Sequence, residues 1–314
     1  MVIPLYYQNV VIGAVQKNIL HFLKEDCKDV FIVLDTHILV NPNIGSRELF
    51  FLIKEVASIL HKKYNIIPPL RGENLSVFPL NRVSEILSTE NDANTILQSS
   101  GLFEIDRNAT SPFGIVTFGV MLNCFTRSKD GSLSMWIAQR SLKKPIHQYP
   151  GKLDPIIGGA VEAGVSPRQA LIKEAWEECS MPKYLAEKAV YKGFVSYLMR
   201  QYGGIKFQIL FCYDLDLSRT EMPFWKPQFN DNSIENFFLL SAQEVADRLR
   251  YTDDFKGGSN LIKIDFLIRN NIIQKNEIFY EKIKKSLRNL LLPFHESSQQ
   301  FKIVSAAEIQ EINF

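Results

Sequence analysis

The spacing of hydrophobic and polar positions along this chain changes period several times. Apolar residues recur at helical spacing over Ala14 to Leu23 and again over Arg47 to Lys63, whereas Val30 to Val40 contains a β-rich run. The polar stretch Ser88 to Ser100 and the segment Asp106 to Pro112 read as a boundary region near residue 107. Beyond it, Gly114 to Phe125 and Ser132 to Gln139 are apolar runs around Lys129-Asp130-Gly131. Asp-Gly suits a hairpin there, because both central positions tolerate positive φ. Gly203-Gly204 separates the runs Ala189 to Leu198 and Ile205 to Leu215 in the same way. Phe237 to Leu240 predicts a short strand, and helical patterns follow over Ala242 to Arg250, Leu261 to Ile268 and Ile278 to Leu291.

The segment Gly158 to Met181 carries the chemistry. Glu174, Glu177 and Glu178 are spaced i, i+3, i+4, so on a helix they share one face. Leu171, Ile172, Ala175, Trp176 and Cys179 fall on the opposite arc as a packing stripe. Ser166 is placed to cap this helix, Pro167 suits its first position, and Gln169 completes a capping box. Three carboxylates so close repel one another, and a divalent cation would offset that repulsion. A plain solvated acidic face is the competing reading. Upstream, the apolar Pro155-Ile156-Ile157 leads into Gly158-Gly159, and Gly164 precedes the cap. Strand, glycine-rich loop and helix in that order let backbone approach a phosphate closely.

These residues resemble the Nudix box, with the pattern G-x5-E-x7-R-E-U-x-E-E-x-G-U, where U is aliphatic. Gly159 begins it, Lys173-Glu174 stand for the R-E pair and Glu177-Glu178 for the E-E pair, while Glu162 and Gly164 match an additional E-x-G. Val165 replaces the first glutamate, Lys173 replaces arginine and Ser180 replaces the final glycine. Lysine keeps the charge but loses the bidentate fork. The resemblance implies an α/β (α+β) fold, the Nudix α/β/α sandwich with a mixed sheet. It implies that Glu174 and Glu178 ligate Mg²⁺ or Mn²⁺ and that Glu177 is a further ligand or positions water, so that all three are catalytic. Gly158 and Gly159 would then line the bound diphosphate.

The approach to the box narrows the resemblance. Trp136-Ile137-Ala138-Gln139-Arg140-Ser141, then Lys143-Lys144-Pro145, then Tyr149-Pro150-Gly151-Lys152-Leu153-Asp154 run into Gly158-Gly159. They resemble the W-[IV]-A-x-R-S…K…P-G-x-L-D…GG pattern of a Nudix subgroup with an extra N-terminal α/β domain. That subgroup closes its box E-E-A-S-[LM]-P, and here Glu177-Glu178-Cys179-Ser180-Met181-Pro182 stands. The expected division is an N-terminal α/β domain over 1–106, a Nudix domain over 107–255 and a C-terminal helical extension over 256–314. The subgroup resembles the Nudix portion of fungal thiamin pyrophosphokinase fusions. It implies removal of phosphate from thiamin diphosphate and, preferentially, its damaged oxo and oxy analogues, a metabolite-repair role. Cleavage of nucleoside diphosphate derivatives such as ADP-ribose or NADH, and a binding module without hydrolysis, are the alternatives.

Other candidates are weaker. Lys143, Lys144 and Lys152 lie in the loop before the box and could meet a diphosphate as mobile cations, although solvated loop lysines are the default. Asp154 could orient that loop or cap its turn. Tyr197, Phe207, Trp136 and Trp225 could flank a ligand's rings, but aromatics in strands are more often core. His147 stands without metal-ligand spacing around it, and Glu235 is a distant candidate base. A hydrophobic content of 46% and a net charge of +2 describe an ordinary globular chain with no electrostatic demand for nucleic acid or membrane. Cys27, Cys124, Cys179 and Cys212 are widely separated and read as free buried thiols. With no leader pattern and no bilayer-length apolar run, a cytoplasmic location is expected.

Overall fold

The computed structural model describes residues 2–142, 149–201, 203–230, 232–277 and 279–290. Alternating buried and half-buried positions make strand β1 (Val2–Tyr7), which pairs antiparallel with β2 (Val10–Gln16) and parallel with a later strand. Helix α1 (Leu20–Asp26), β3 (Phe31–Val33), β4 (Ile38–Val40) and α2 (Ser46–Lys62) follow, and the four strands order as β2-β1-β4-β3. The helical expectation over Ala14 to Leu23 holds from Lys17, as a 3-10 turn (Lys17–Ile19) that runs into α1. Ala14-Val15-Gln16 are claimed by pairing with Pro4, Ile3 and Val2, and a strand partner outweighs local periodicity. The run Val30 to Val40 resolves into two antiparallel strands.

A two-stranded ribbon comes next, β5 (Asn74–Val77) with β6 (Phe103–Asp106), and between its strands lie α3 (Val83–Ile86) and α4 (Glu90–Gln98). The stretch Ser88 to Ser100 is therefore largely helix. Thr89 caps it by accepting from the Asp92 N–H, and Ala93, Ile96 and Leu97 are buried. After β6 the short α5 (Thr110–Phe113) leads into the main sheet.

That sheet has seven strands: β7 (Val116–Arg127), β8 (Leu133–Arg140), β9 (Leu153–Pro155), β10 (Ile157–Ala160), β11 (Val190–Gln201), β12 (Gly204–Asp216) and β13 (Ile234–Ser241). The order is β11-β12-β7-β8-β13, with β10 against β7 and β9 against β8; only β12 and β7 run parallel. Both expected hairpins are present, β7–β8 across Asp130-Gly131 and β11–β12 across Gly203-Gly204. Gly203 is at φ +88°, and a Cβ there would lie 2.0 Å from the carbonyl oxygen of Ile66, so the turn needs glycine on both counts.

Helices cover the two faces. Between β10 and β11 lie α6 (Pro167–Cys179) and α7 (Lys183–Ala186). From α6, Leu171, Ala175 and Cys179 pack with Val120, Leu122, Ile209 and Phe211 on one face. After β13 come α8 (Ala242–Tyr251), α9 (Ser259–Arg269) and α10 (Tyr280–Leu287). From α9, Ile262 and Phe266 pack with Met121, Leu210 and Cys212 on the other face. This is a mixed-sheet α/β/α sandwich, as the resemblance implies. Phe78, Leu80, Val83 and the buried side of α4 join the α6 face, while β1–β4, α1 and α2 close a separate core around Leu5, Ile38 and Leu49. All four cysteines are free and buried, and among the described residues no helix is long and apolar enough to cross a membrane.

Candidate active site

The helix carrying the glutamates starts as its sequence dictates. Ser166 Oγ accepts from the Gln169 N–H, Gln169 Oε1 accepts from the Ser166 N–H, and Pro167 occupies the first turn. Val165, where the box pattern has glutamate, packs half-buried against the core beneath α6. The wheel differs from expectation at one residue. Trp176 is 57% exposed, because it lies about 100° past Ala175 and so beyond the edge of the stripe set by Leu171, Ala175 and Cys179. The buried arc is centred further toward the glutamates than expected. As a result Glu174 and Glu178 are half-buried on its flank, while Glu177 faces solvent.

That flank lies against the glycine strand. The Gly158 N–H donates to Glu178 Oε2 at 2.8 Å, which ties β10 to the last turn of α6. The Glu174 carboxyl fills the space over the Cα of Gly159: a Cβ there would lie 2.0 Å from Glu174 Oε1 and 2.1 Å from its Cδ. Burial pushes the Glu174 carboxyl up to about 7, the nearby charge of Glu177 adds to this, and Lys173 and Arg107 act against it. Glu174 has no hydrogen-bond or ion-pair partner among the described residues. A half-buried oxygen donor without a partner, beside two more carboxylates, suits a hard divalent cation that needs only one or two carboxylates and keeps several waters. Among the described residues no cluster of three His, Cys, Asp or Glu side chains is already drawn together as a cage.

The other expected residues are placed variously. Lys173 pairs with Glu162 at 2.5 Å, so the lysine in the arginine position organises the loop glutamate. Lys152 is bound to the Asp253 carboxylate at 2.6 Å, and a phosphate would have to displace that partner. Lys143, Lys144 and His147 lie outside the described residues. Asp154 is buried and accepts from Arg140 (3.0 Å), Lys256 (2.9 Å) and the Ser259 hydroxyl. Burial alone would raise its carboxyl, but Lys256 and Arg140 hold it below the usual carboxylate range. It therefore clamps the pre-box loop to the start of α9, and it caps no turn. Tyr197, Phe207 and Trp225 are core, while Trp136 is half-buried against the α6 core. Glu235 sits at a bulge in the edge strand β13.

Sequence reasoning missed a group that the fold brings to the same end of the sheet. Gln208 Nε2 lies 3.4 Å from where a Cβ of Gly119 would stand, and that same position is 2.9 Å from the Gly159 carbonyl. The Tyr197 hydroxyl bonds to Gln208 Oε1. Arg107, from the segment after β6, is paired with Glu73 at 2.9 Å, and its charge reaches Glu174. Only pairing between strands remote in sequence assembles these residues, so local spacing holds no trace of them.

The closing serine of the box has a backbone reason. Ser180 follows the last turn of α6 in the left-handed region (φ 53°, ψ 33°), while the Met181 N–H reaches back to the Ala175 carbonyl at 2.9 Å. That conformation favours glycine, the residue of the general box. Ser180→Gly is expected to stabilise the protein by roughly 1 kcal/mol, read as a higher urea midpoint with an unchanged slope.

No family profile matches the chain. It is similar to Nudix hydrolase 24, chloroplastic, of Arabidopsis thaliana, 30% identical over 290 residues, which cover 91% of this chain and 73% of that relative. It is equally similar to Nudix hydrolase 20, chloroplastic, of the same plant, 30% identical over 301 residues with the same coverage of each. Among solved structures, the MutT protein from Methanosarcina mazei Go1 aligns with a TM-score of 0.35 at 15% identity, over 51% of this chain and 96% of that one.

Proposed function

The chain belongs to the Nudix hydrolase family and is a hydrolase of diphosphate compounds, and on that premise we propose that it cleaves thiamin diphosphate and its oxo and oxy analogues to the monophosphate and phosphate. The observation that carries the catalytic part is the fit of the Glu174 carboxyl over Gly159, with Glu178 holding the next N–H on the strand. Glu174 and Glu178 would hold Mg²⁺ or Mn²⁺ there, and Glu177 on the same turn would take part as ligand or as holder of water. When bound, the ion would supply charge neutralisation at the phosphoryl oxygens and a more acidic water.

The chain's own residues do the rest. The missing side chain of Gly159 lets the Glu174 carboxyl lie directly against the strand, where it would face the diphosphate and its ion. A water oxygen forms the new bond to phosphorus, the bridging P–O bond breaks, and a box carboxylate accepts the water's proton. The substrate part rests on the flanks. The Trp136 to Asp154 approach and the Ser180-Met181-Pro182 close match the thiamin-associated subgroup, and Arg140 and Asp154 of that approach bind each other.

The test is a phosphate-release screen with Mg²⁺ over thiamin diphosphate, oxothiamin and oxythiamin diphosphates, ADP-ribose and NADH. The expected result is inorganic phosphate from the thiamin series, with the oxo and oxy forms turned over faster. Nucleoside monophosphate from ADP-ribose or NADH, at higher kcat/KM, would replace the substrate assignment and keep the reaction type. Absence of Mg²⁺- or Mn²⁺-dependent product from every compound would make the chain a binding module.

A further inference from the structure

Lys206, a cation at this end of the sheet, has no hydrogen-bond or ion-pair partner among the described residues. Lys206 stands near the start of β12, two residues before Gln208, and alternation puts both on the face that Leu210 and Cys212 turn toward α9. Its side chain is half-buried, and its ammonium stands over the Tyr197 ring, 5.6 Å from the centroid. An ammonium held largely out of water without a counter-charge is costly, and groups in such surroundings cluster at functional sites. The ring beneath it is held in place, since the Tyr197 hydroxyl bonds to Gln208 and only the absent side chain of Gly258 leaves room for it. Gln208 Nε2 in turn lies 3.4 Å from where a Cβ of Gly119 would stand, the position that is 2.9 Å from the carbonyl oxygen of Gly159, whose Cα Glu174 covers.

We propose that Lys206 is a substrate ligand that receives a phosphate group of the diphosphate on the wall opposite the box glutamates. This rests on the diphosphatase reading above and deepens it. The surroundings fit an anion. Lys256 and Arg140 both bind Asp154, and Arg107 brings a further positive charge from the β6 side. Burial, followed by the charges of Lys256, Arg107 and Arg140, brings the Lys206 ammonium down to about 7, and only Asp154 acts the other way. An arriving phosphate restores the missing counter-charge, so Lys206 binds it protonated and takes up a proton when the pH is above about 7.

The experiment is calorimetric titration of the full chain with inorganic pyrophosphate in EDTA, at pH 6 and pH 8, comparing wild type with Lys206→Met and Lys206→Arg. Lys206→Met is expected to bind at least tenfold more weakly at pH 6 and to melt no lower than wild type, since an uncompensated buried charge is removed. Lys206→Arg keeps its charge at both values, so it is expected to bind well at both. The probe's own protonation cancels between proteins. The ratio of wild-type to Lys206→Arg dissociation constants should therefore rise about tenfold from pH 6 to pH 8. Methionine binding as well as lysine, or arginine binding no better than methionine, would overturn the proposal. Glu178→Gln separates the two readings: it should lose hydrolysis and keep metal-free pyrophosphate affinity. Turnover unaffected in Glu178→Gln would count against the metal site alone.

Discussion

Glu178→Gln is expected to lower Mg²⁺-dependent diphosphate hydrolysis by about a thousandfold, roughly 4 kcal/mol of lost transition-state stabilisation, and to leave the melting temperature unchanged. The split between the two readouts follows from what the side chain does. Its Oε2 accepts the Gly158 N–H at 2.8 Å, and a glutamine carbonyl can accept the same bond, so β10 stays tied to α6. The substitution removes only the negative charge, and that charge is what a divalent ion requires. Kinetics with saturating Mn²⁺ and a thermal melt on the same sample check it. Wild-type turnover would remove Glu178 from the metal site, and a lowered melting temperature would show that the charge itself holds the fold.

The box was legible in the sequence because its determinants are local. A cap, a proline, a glutamine three residues on and glutamates at i, i+3, i+4 act within one helix, and the capping box appears as read. The hairpins at Asp130-Gly131 and Gly203-Gly204 were legible for the same reason, since a turn is decided by a few residues. What was hidden depends on distance along the chain. Ala14 to Gln16 look helical until β1 claims them. Asp154 read equally as a holder of its loop or a cap of its turn, and the spacing could not choose, because its partner Lys256 is 102 residues away and Ser259 is 105. Trp176 was assigned to the stripe because the wheel shows which residues share an arc and leaves open where the core will centre it. Lys206 gave no signal at all, because a lysine in a strand is ordinarily solvated.

Gly159→Ala is expected to lower turnover by at least a hundredfold, roughly 3 kcal/mol, with little change in stability. The strand conformation of Gly159 admits any residue, so backbone freedom is not why glycine stands there. What a methyl group would meet is the Glu174 carboxyl, at 2.0 Å from Oε1 and 2.3 Å from Cγ. Those atoms are the far end of a flexible side chain, which can swing away more cheaply than the sheet can deform. The fold therefore survives, and the carboxyl loses its place over the strand. Glycine at this position and glutamate fifteen residues on (Glu174) are then one device, which gives a second check. Residues acting as one unit are non-additive, so Gly159→Ala combined with Glu174→Gln should be no slower than Glu174→Gln alone. If the two losses multiply, the glycine serves substrate approach independently of the carboxyl. If they do not, the empty space at Gly159 exists to seat Glu174.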